Sequence, residues 1–71
     1  MSERVVPVRD GAIRLGQFLK LVGAVDSGAE AKDLLASGAV SVNDAPEDRR
    51  GRQLATGDRV TVGAEAYRVG T

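Results

Sequence analysis

The sequence predicts an α+β fold in which two packed short helices are followed by a small, mostly antiparallel sheet. The spacing of apolar residues changes along the chain, from a helical period before residue 38 to a strand period of two after residue 39. The length of 71 residues, with 42% hydrophobic and 28% charged residues, is typical of one small globular domain. We therefore expect residues 1–71 to form a single domain with a modest core.

The amino-terminal segment, residues 1–10, predicts an extra edge strand, with a flexible segment as the alternative. Residues 4–9 contain three valines, which favour extended backbone. Pro7 lacks a backbone donor, so a strand here is restricted to the edge of a sheet.

The first predicted helix begins near Ile13 and carries apolar residues at spacings of three and four. Gly23 is expected to end it, because glycine readily adopts the left-handed backbone that follows many helices. The second helix begins at Ser27, which forms a capping box with Glu30 three residues later. Gly38 is expected to end this second helix.

Strands are predicted for the remainder of the chain. Residues 40–43 alternate apolar and polar side chains, and residues 43–46 have the composition of a turn. Residues 59–62 and 66–69 alternate in the same way around residues 63–65, which predicts a hairpin. The predicted core that joins helices and sheet comprises Leu15, Phe18, Leu19, Val22, Ala31, Leu34, Leu35, Val40, Val42, Val60 and Val62.

Composition argues against several classes of function. The chain has no Cys and no His, and it lacks a phosphate-binding GxxxxGK[ST] loop and paired catalytic carboxylates. We therefore expect no enzyme, no catalytic or metal-binding residues, no cofactor and no small-molecule substrate. The longest uncharged run, residues 34–43, has ten residues, whereas a membrane span needs about 20. The sequence thus predicts a cytoplasmic protein without a membrane partner.

Charge is balanced overall, with ten Lys and Arg residues against ten Asp and Glu residues. The dense positive run, residues 49–52, places three arginines on a loop between predicted strands, and guanidinium groups match phosphate geometry. The alternative is a solvated loop in which Asp44, Glu47 and Asp48 neutralise these arginines. Lysines on the two predicted helices would join a phosphate-binding surface only if they converge with this loop.

The order of segments from residue 13 to residue 62 matches a known pattern. The segments are a helix beginning Arg-Leu (14–20), a capped helix with Ala-Lys (27–32), a Gly-Ala-Val-Ser-Val-Asn strand (38–43), the basic loop (49–52) and a Gly-Asp turn (57–58). Together they resemble the ribosomal protein S-four-like RNA-binding domain, the alpha-L motif. The similarity is greatest to the short stand-alone bacterial members of that family.

The resemblance implies a non-enzymatic RNA-binding protein that contacts phosphates of structured RNA, with ribosomal RNA or ribosome assembly as the leading context. Only 3% of residues are aromatic, so the stacking used by single-strand binders is poorly supported and folded RNA is favoured. For Asn43, a role confined to the turn is the alternative. The RNA-binding residues that the resemblance implies are Arg14, Lys20, Lys32, Asn43, Arg49, Arg50 and Arg52.

Two other classes of protein remain as alternatives. A ubiquitin-like sulfur carrier also has a Val-Asn strand and a Gly-Asp turn, but it needs a carboxyl-terminal Gly-Gly, whereas this chain ends in residues 69–71, Val-Gly-Thr. Such carriers also begin with a hairpin, whereas residues 11–38 predict two helices. The third alternative is a protein–protein adaptor with the same fold.

Overall fold

The computed structural model describes residues 3–70, and Met1, Ser2 and Thr71 lie outside the described part. Within this range the chain forms two α-helices, one short 3-10 helix and seven strands. In chain order the elements are β1 (Glu3–Pro7), the 3-10 helix (Arg9–Gly11), β2 (Ala12–Arg14), α1 (Leu15–Leu21), α2 (Gly28–Ala36), β3 (Val40–Val42), β4 (Ala45–Pro46), β5 (Gln53–Ala55), β6 (Arg59–Val62) and β7 (Glu65–Gly70).

The main sheet has five strands in the order β1-β7-β6-β3-β4. β1 pairs with β7 in parallel, and the other three pairs are antiparallel. The predicted α+β class with a mostly antiparallel sheet is therefore confirmed. β1 lies at the sheet edge and ends at Pro7, as the missing proline donor requires. Two residues of the predicted amino-terminal segment, Met1 and Ser2, lie outside the described residues.

Local residues set the ends of both helices and the start of α2. Gly23 and Gly38 follow α1 and α2 with φ of 79° and 82°, the left-handed backbone that glycine adopts at little cost. Ser27 Oγ accepts a hydrogen bond from Glu30 N at 3.2 Å, which caps α2. The Glu30 carboxylate accepts from Asp26 N at 2.6 Å, one residue before the amide that a standard capping box uses.

The start of α1 differs from the prediction. The chain is extended through β2 and becomes helical only at Leu15, because β2 forms a second, two-stranded antiparallel sheet with β5. In this sheet Ile13 lies opposite Leu54. A three-residue strand gives no periodic signal, and its partner lies about forty residues away, so local spacing did not predict this pairing.

One core joins the helix pair to the sheet. Eight of the eleven predicted core residues are buried, and Val22, Leu34 and Val62 are partly buried and packed against them. Phe18 is fully buried and meets the half-buried Tyr67 edge-on, with ring centroids 6.2 Å apart. Four further buried hydrophobic residues were not in the predicted core: Val8, Val25, Leu54 and Val69.

The β3–β4 hairpin turns through Asn43 and Asp44, with φ of 52° and 70°. Asn and Asp tolerate this left-handed backbone better than other non-glycine residues, so the predicted turn is confirmed. Neither helix between residues 3 and 70 has the length and apolar character that crossing a membrane would take.

Candidate nucleic-acid interface

The loop of residues 49–52 is fixed to the amino terminus of α1 through backbone hydrogen bonds. Leu15 N donates to Arg52 O at 2.8 Å, and Gly16 N donates to Arg50 O at 2.9 Å. The first amides of a helix have no acceptor within the helix. Here two carbonyls of the loop accept their hydrogen bonds. The helix start therefore sets the position of the arginines.

Gly16 allows this close approach. A Cβ at this position would lie 3.3 Å from Arg50 Cβ and 3.4 Å from Arg50 O, which is tighter than ordinary van der Waals contact. Sequence reasoning missed Gly16, although a glycine at the second position of a short helix is itself an unusual choice that signals a packing constraint.

Glu47 organises two of the three arginines on the loop. Its side chain is only 6% exposed and accepts hydrogen bonds from Arg49 Nε at 3.0 Å and from Arg52 Nη1 at 2.9 Å. The backbone N of Arg49 donates to the same carboxylate at 3.1 Å. These bonds, led by that from the Arg49 side chain, lower the pKa of Glu47 to about 2, and the pairing raises the pKa of Arg49. The neutralised-loop alternative thus describes the geometry of Arg49 and Arg52.

Arg50 has a different environment and lines a cleft of about 250 Å³ between α1, the start of α2 and the loop. Arg14, at the junction of β2 and α1, and Lys20, at the last turn of α1, line the same cleft. The structure therefore brings together three of the predicted cations. Gln17 lies between Arg14 and Lys20 in the sequence, three residues from each, and also lines the cleft.

The three cleft cations have no carboxylate partner within residues 3–70, and the same is true of Arg4, Arg9 and Lys32 outside the cleft. The ion pairs of this range join Glu47 to Arg49 and Arg52, Asp44 to Arg59, and Glu3 to Arg68. The cleft therefore carries three cations that no ion pair in the described range neutralises, even though the whole chain has a net charge of zero.

Four of the seven predicted residues lie outside this cleft lining: Arg49 and Arg52, which pair with Glu47, and Lys32 and Asn43. Lys32 is exposed on α2, one residue after the cleft residue Ala31. The Asn43 side chain is occupied by the turn: its Nδ2 donates to Asp58 Oδ1 at 3.1 Å and its Oδ1 accepts from Arg59 N at 2.9 Å. These bonds fit the turn-forming alternative for Asn43. Contact of the seven predicted residues with RNA stays a prediction.

Two helices packed on a mostly antiparallel sheet, with three cations on a cleft beside them, form the arrangement that the resemblance to the alpha-L motif implies. A family model for the S4 domain matches residues 6–70, so the chain belongs to the S4 domain family. The "Probable ribosome maturation protein RlbA" of Bacillus subtilis (strain 168) is 52% identical over 50 residues, which cover 70% of each chain. The resemblance seen in the sequence is confirmed.

Membership in this family bears on the alternatives. S4 domains are RNA-binding domains and are generally not enzymes. The sulfur-carrier alternative has no support, because the two strands before α1, β1 and β2, lie in different sheets and form no hairpin, and residues 15–36 then form two helices.

Proposed function

We propose that this protein binds structured RNA by contacting backbone phosphates with Arg14, Lys20 and Arg50. The observation that carries the proposal is the convergence of these three cations, without ion-pair partners in the described range, on one cleft. Phosphate contacts supply most of the sequence-independent affinity for nucleic acids, and arginine matches phosphate geometry.

Other cations extend this surface with weaker contributions. Lys32 lies on the exposed side of α2 close in sequence to the cleft residue Ala31. Arg49 remains largely exposed, but Glu47 already compensates the charges of Arg49 and Arg52. Removal of Arg49 or Arg52 should therefore affect RNA affinity less than removal of Arg50 does.

The placement of the aromatic rings supports folded RNA as the target. Phe18 is fully buried, and Tyr67 is half-buried with the Arg4 guanidinium 5.6 Å from its ring centroid. Proteins that bind flexible single strands stack successive bases on exposed aromatic side chains. With neither ring freely exposed, contacts to phosphates at fixed positions in a folded RNA are the better match.

Ribosomal RNA is the proposed target, and ribosome maturation the proposed process. The support is the 52% identity to a protein named as a probable ribosome maturation protein. The protein itself acts without catalysis in this proposal: it recognises a folded segment of RNA during assembly.

Ultraviolet crosslinking in cells, followed by sequencing of the attached RNA, tests this function. The informative variant combines Arg14→Ala with Arg50→Ala. The matched control combines Arg4→Ala with Arg9→Ala, which removes the same charge from residues that do not line the cleft.

We expect crosslinks enriched in ribosomal RNA for the wild type and the control, and a marked loss for the cleft variant. Enrichment in transfer or messenger RNA would contradict the ribosomal target. A wild-type protein that yields no crosslinks would contradict RNA binding and favour the adaptor alternative.

A further inference from the structure

We propose that the cleft receives the unpaired base of a single bulged or looped nucleotide, while the cations at the cleft hold the flanking phosphates. This inference rests on the proposed function, because it specifies which element of a folded RNA the same surface recognises.

The walls of the cleft favour a base over a phosphate. Four of its lining residues are small: Gly16, Gly28, Ala31 and Gly51. A phosphate placed between them would need donors, for which helix amino-terminal amides are the usual source. The first amides of α1, those of Leu15 and Gly16, already donate to the loop carbonyls. The α1 side of the cleft therefore offers an anion neither of these amides and suits the apolar face of a planar base.

The Arg50 guanidinium is placed to stack its face on such a base while the N–H groups at its edge donate to a flanking phosphate. Its Cβ lies 3.3 Å from the position that a Cβ at Gly16 would occupy, and its Nη1 lies 4.0 Å from the equivalent position at Gly28. The side chain therefore extends across the cleft from the start of α1 to the start of α2. Planar guanidinium groups stack on the faces of unpaired bases in RNA complexes.

Gln17 adds a group that could contact the edge of the base. Its Oε1 accepts a hydrogen bond from Arg14 N at 3.3 Å, which orients the side chain. Its Nε2 group makes no hydrogen bond to another described residue and is available as a donor to a ring nitrogen or carbonyl of a base.

The size of the cleft suits one ring system. Pockets that bury drug-sized ligands have volumes of about 300–1,000 Å³. The cleft, at about 250 Å³, is below that range. A cleft of this size matches a single base better than a stack of successive bases.

Two fluorescently labelled RNA hairpins test this inference. Both carry one bulged position, which is an adenosine in the first hairpin and an abasic nucleotide in the second, so their phosphates are the same. The Kd of each is measured by fluorescence anisotropy at low salt, where phosphate contacts alone give measurable affinity. We expect the wild type to bind the adenosine hairpin about 5- to 150-fold more tightly, the range that one stacked base provides in other complexes.

Variants with a larger side chain at the cleft test whether the base binds there. Gly28→Leu adds a side chain at the cleft from α2, and Ala29→Leu adds the same side chain at the next, exposed residue, which does not line the cleft. Gly51→Leu fills the cleft from the loop, where an added Cβ meets no atom within 4 Å, so folding is not strained. We expect Gly28→Leu and Gly51→Leu to bind both hairpins equally, and Ala29→Leu to keep the wild-type preference.

The outcomes separate this inference from the proposed function. Equal affinity of the wild type for both hairpins, with binding still lowered by Arg50→Ala, would overturn base recognition and leave phosphate binding intact. A preference that persists in both filled variants would place the base elsewhere and also overturn the inference. Absence of binding to either hairpin would overturn the proposed function together with the inference.

Discussion

Replacement of Arg50 by alanine should weaken RNA binding without weakening the fold. The Arg50 side chain lines the cleft without a carboxylate partner in the described range, whereas its backbone carbonyl holds Gly16 N. The substitution removes the guanidinium and keeps the carbonyl. We therefore expect a change in the free energy of unfolding within about 0.5 kcal/mol, as for other exposed substitutions.

The magnitude of the effect on binding follows from the number of cleft cations. Three cations that engage phosphates give a slope of log affinity against log salt of about −2 to −3, at roughly −0.7 to −0.9 for each contact. Arg50→Ala should make this slope shallower by about 0.7 to 0.9. Loss of one exposed charge-assisted hydrogen bond of about 1.5 kcal/mol corresponds to about tenfold weaker binding.

The assay is a titration of a folded ribosomal RNA fragment with the protein at several salt concentrations, in parallel with urea unfolding. Arg9→Ala is the matched control, because Arg9 is exposed on the 3-10 helix and does not line the cleft. Its slope should equal that of the wild type. The same slope and affinity for Arg50→Ala and the wild type would refute the assignment of Arg50 as a phosphate contact.

Three further predictions concern the core, the loop and the helix start. Phe18→Ala should cost about 3–5 kcal/mol of stability in thermal or urea unfolding, because Phe18 is fully buried, whereas Leu21→Ala, at a residue 54% exposed, should cost little. The pKa of Glu47 is about 2 in the folded protein against 4.5 for a free side chain. The ionised carboxylate therefore contributes its full share to the free energy of unfolding above about pH 5, and this contribution is lost as the pH falls towards 2. Glu47→Gln should flatten this part of the curve of melting temperature against pH. Gly16→Val should displace the arginine loop, with a cost of about 1–3 kcal/mol and weaker RNA binding, whereas Gly28→Ala should be tolerated because its Cβ meets only Arg50 Nη1 at 4.0 Å.

Each of these predictions has a contradicting outcome. Wild-type stability of Phe18→Ala would remove the assignment of this face of α1 to the core. An acid-unfolding curve of Glu47→Gln that parallels the wild type would show that Glu47 does not hold the loop. Unchanged stability and RNA affinity of Gly16→Val would show that the loop does not depend on close approach to α1.

The elements that depend on local residues could be predicted from the sequence. The spacing of Leu15, Phe18 and Leu19 placed one face of α1 in the core, and Ser27 marked the start of α2. The glycines after the helices marked where each one ends. In these cases the residue and its physical cause lie within a few positions of each other.

Features that depend on distant contacts were missed. β2 pairs with β5, and buried Leu54 lies on a three-residue strand whose apolar character gives no pattern of its own. The three arginines of the loop have the same chemistry in the sequence. Only the fold shows that Glu47 binds the first and third of them and that the second lies on the cleft. That division depends on the docking of the loop to α1, which spacing alone does not encode.

The claim that unpaired cations on the cleft bind folded RNA is tested most directly by competition at fixed salt. A ribosomal RNA fragment in which helices meet at a junction competes with an unstructured RNA of equal length for binding to the protein. Three proteins are compared: the wild type, a cleft variant that combines Arg14→Ala with Arg50→Ala, and a charge-matched variant that combines Arg4→Ala with Arg9→Ala. We predict that the folded fragment binds more tightly to the wild type and to the charge-matched variant, and that the cleft variant loses most of this affinity. Equal or tighter binding of the unstructured RNA, or equal affinity of the cleft and charge-matched variants for the folded fragment, would contradict the claim.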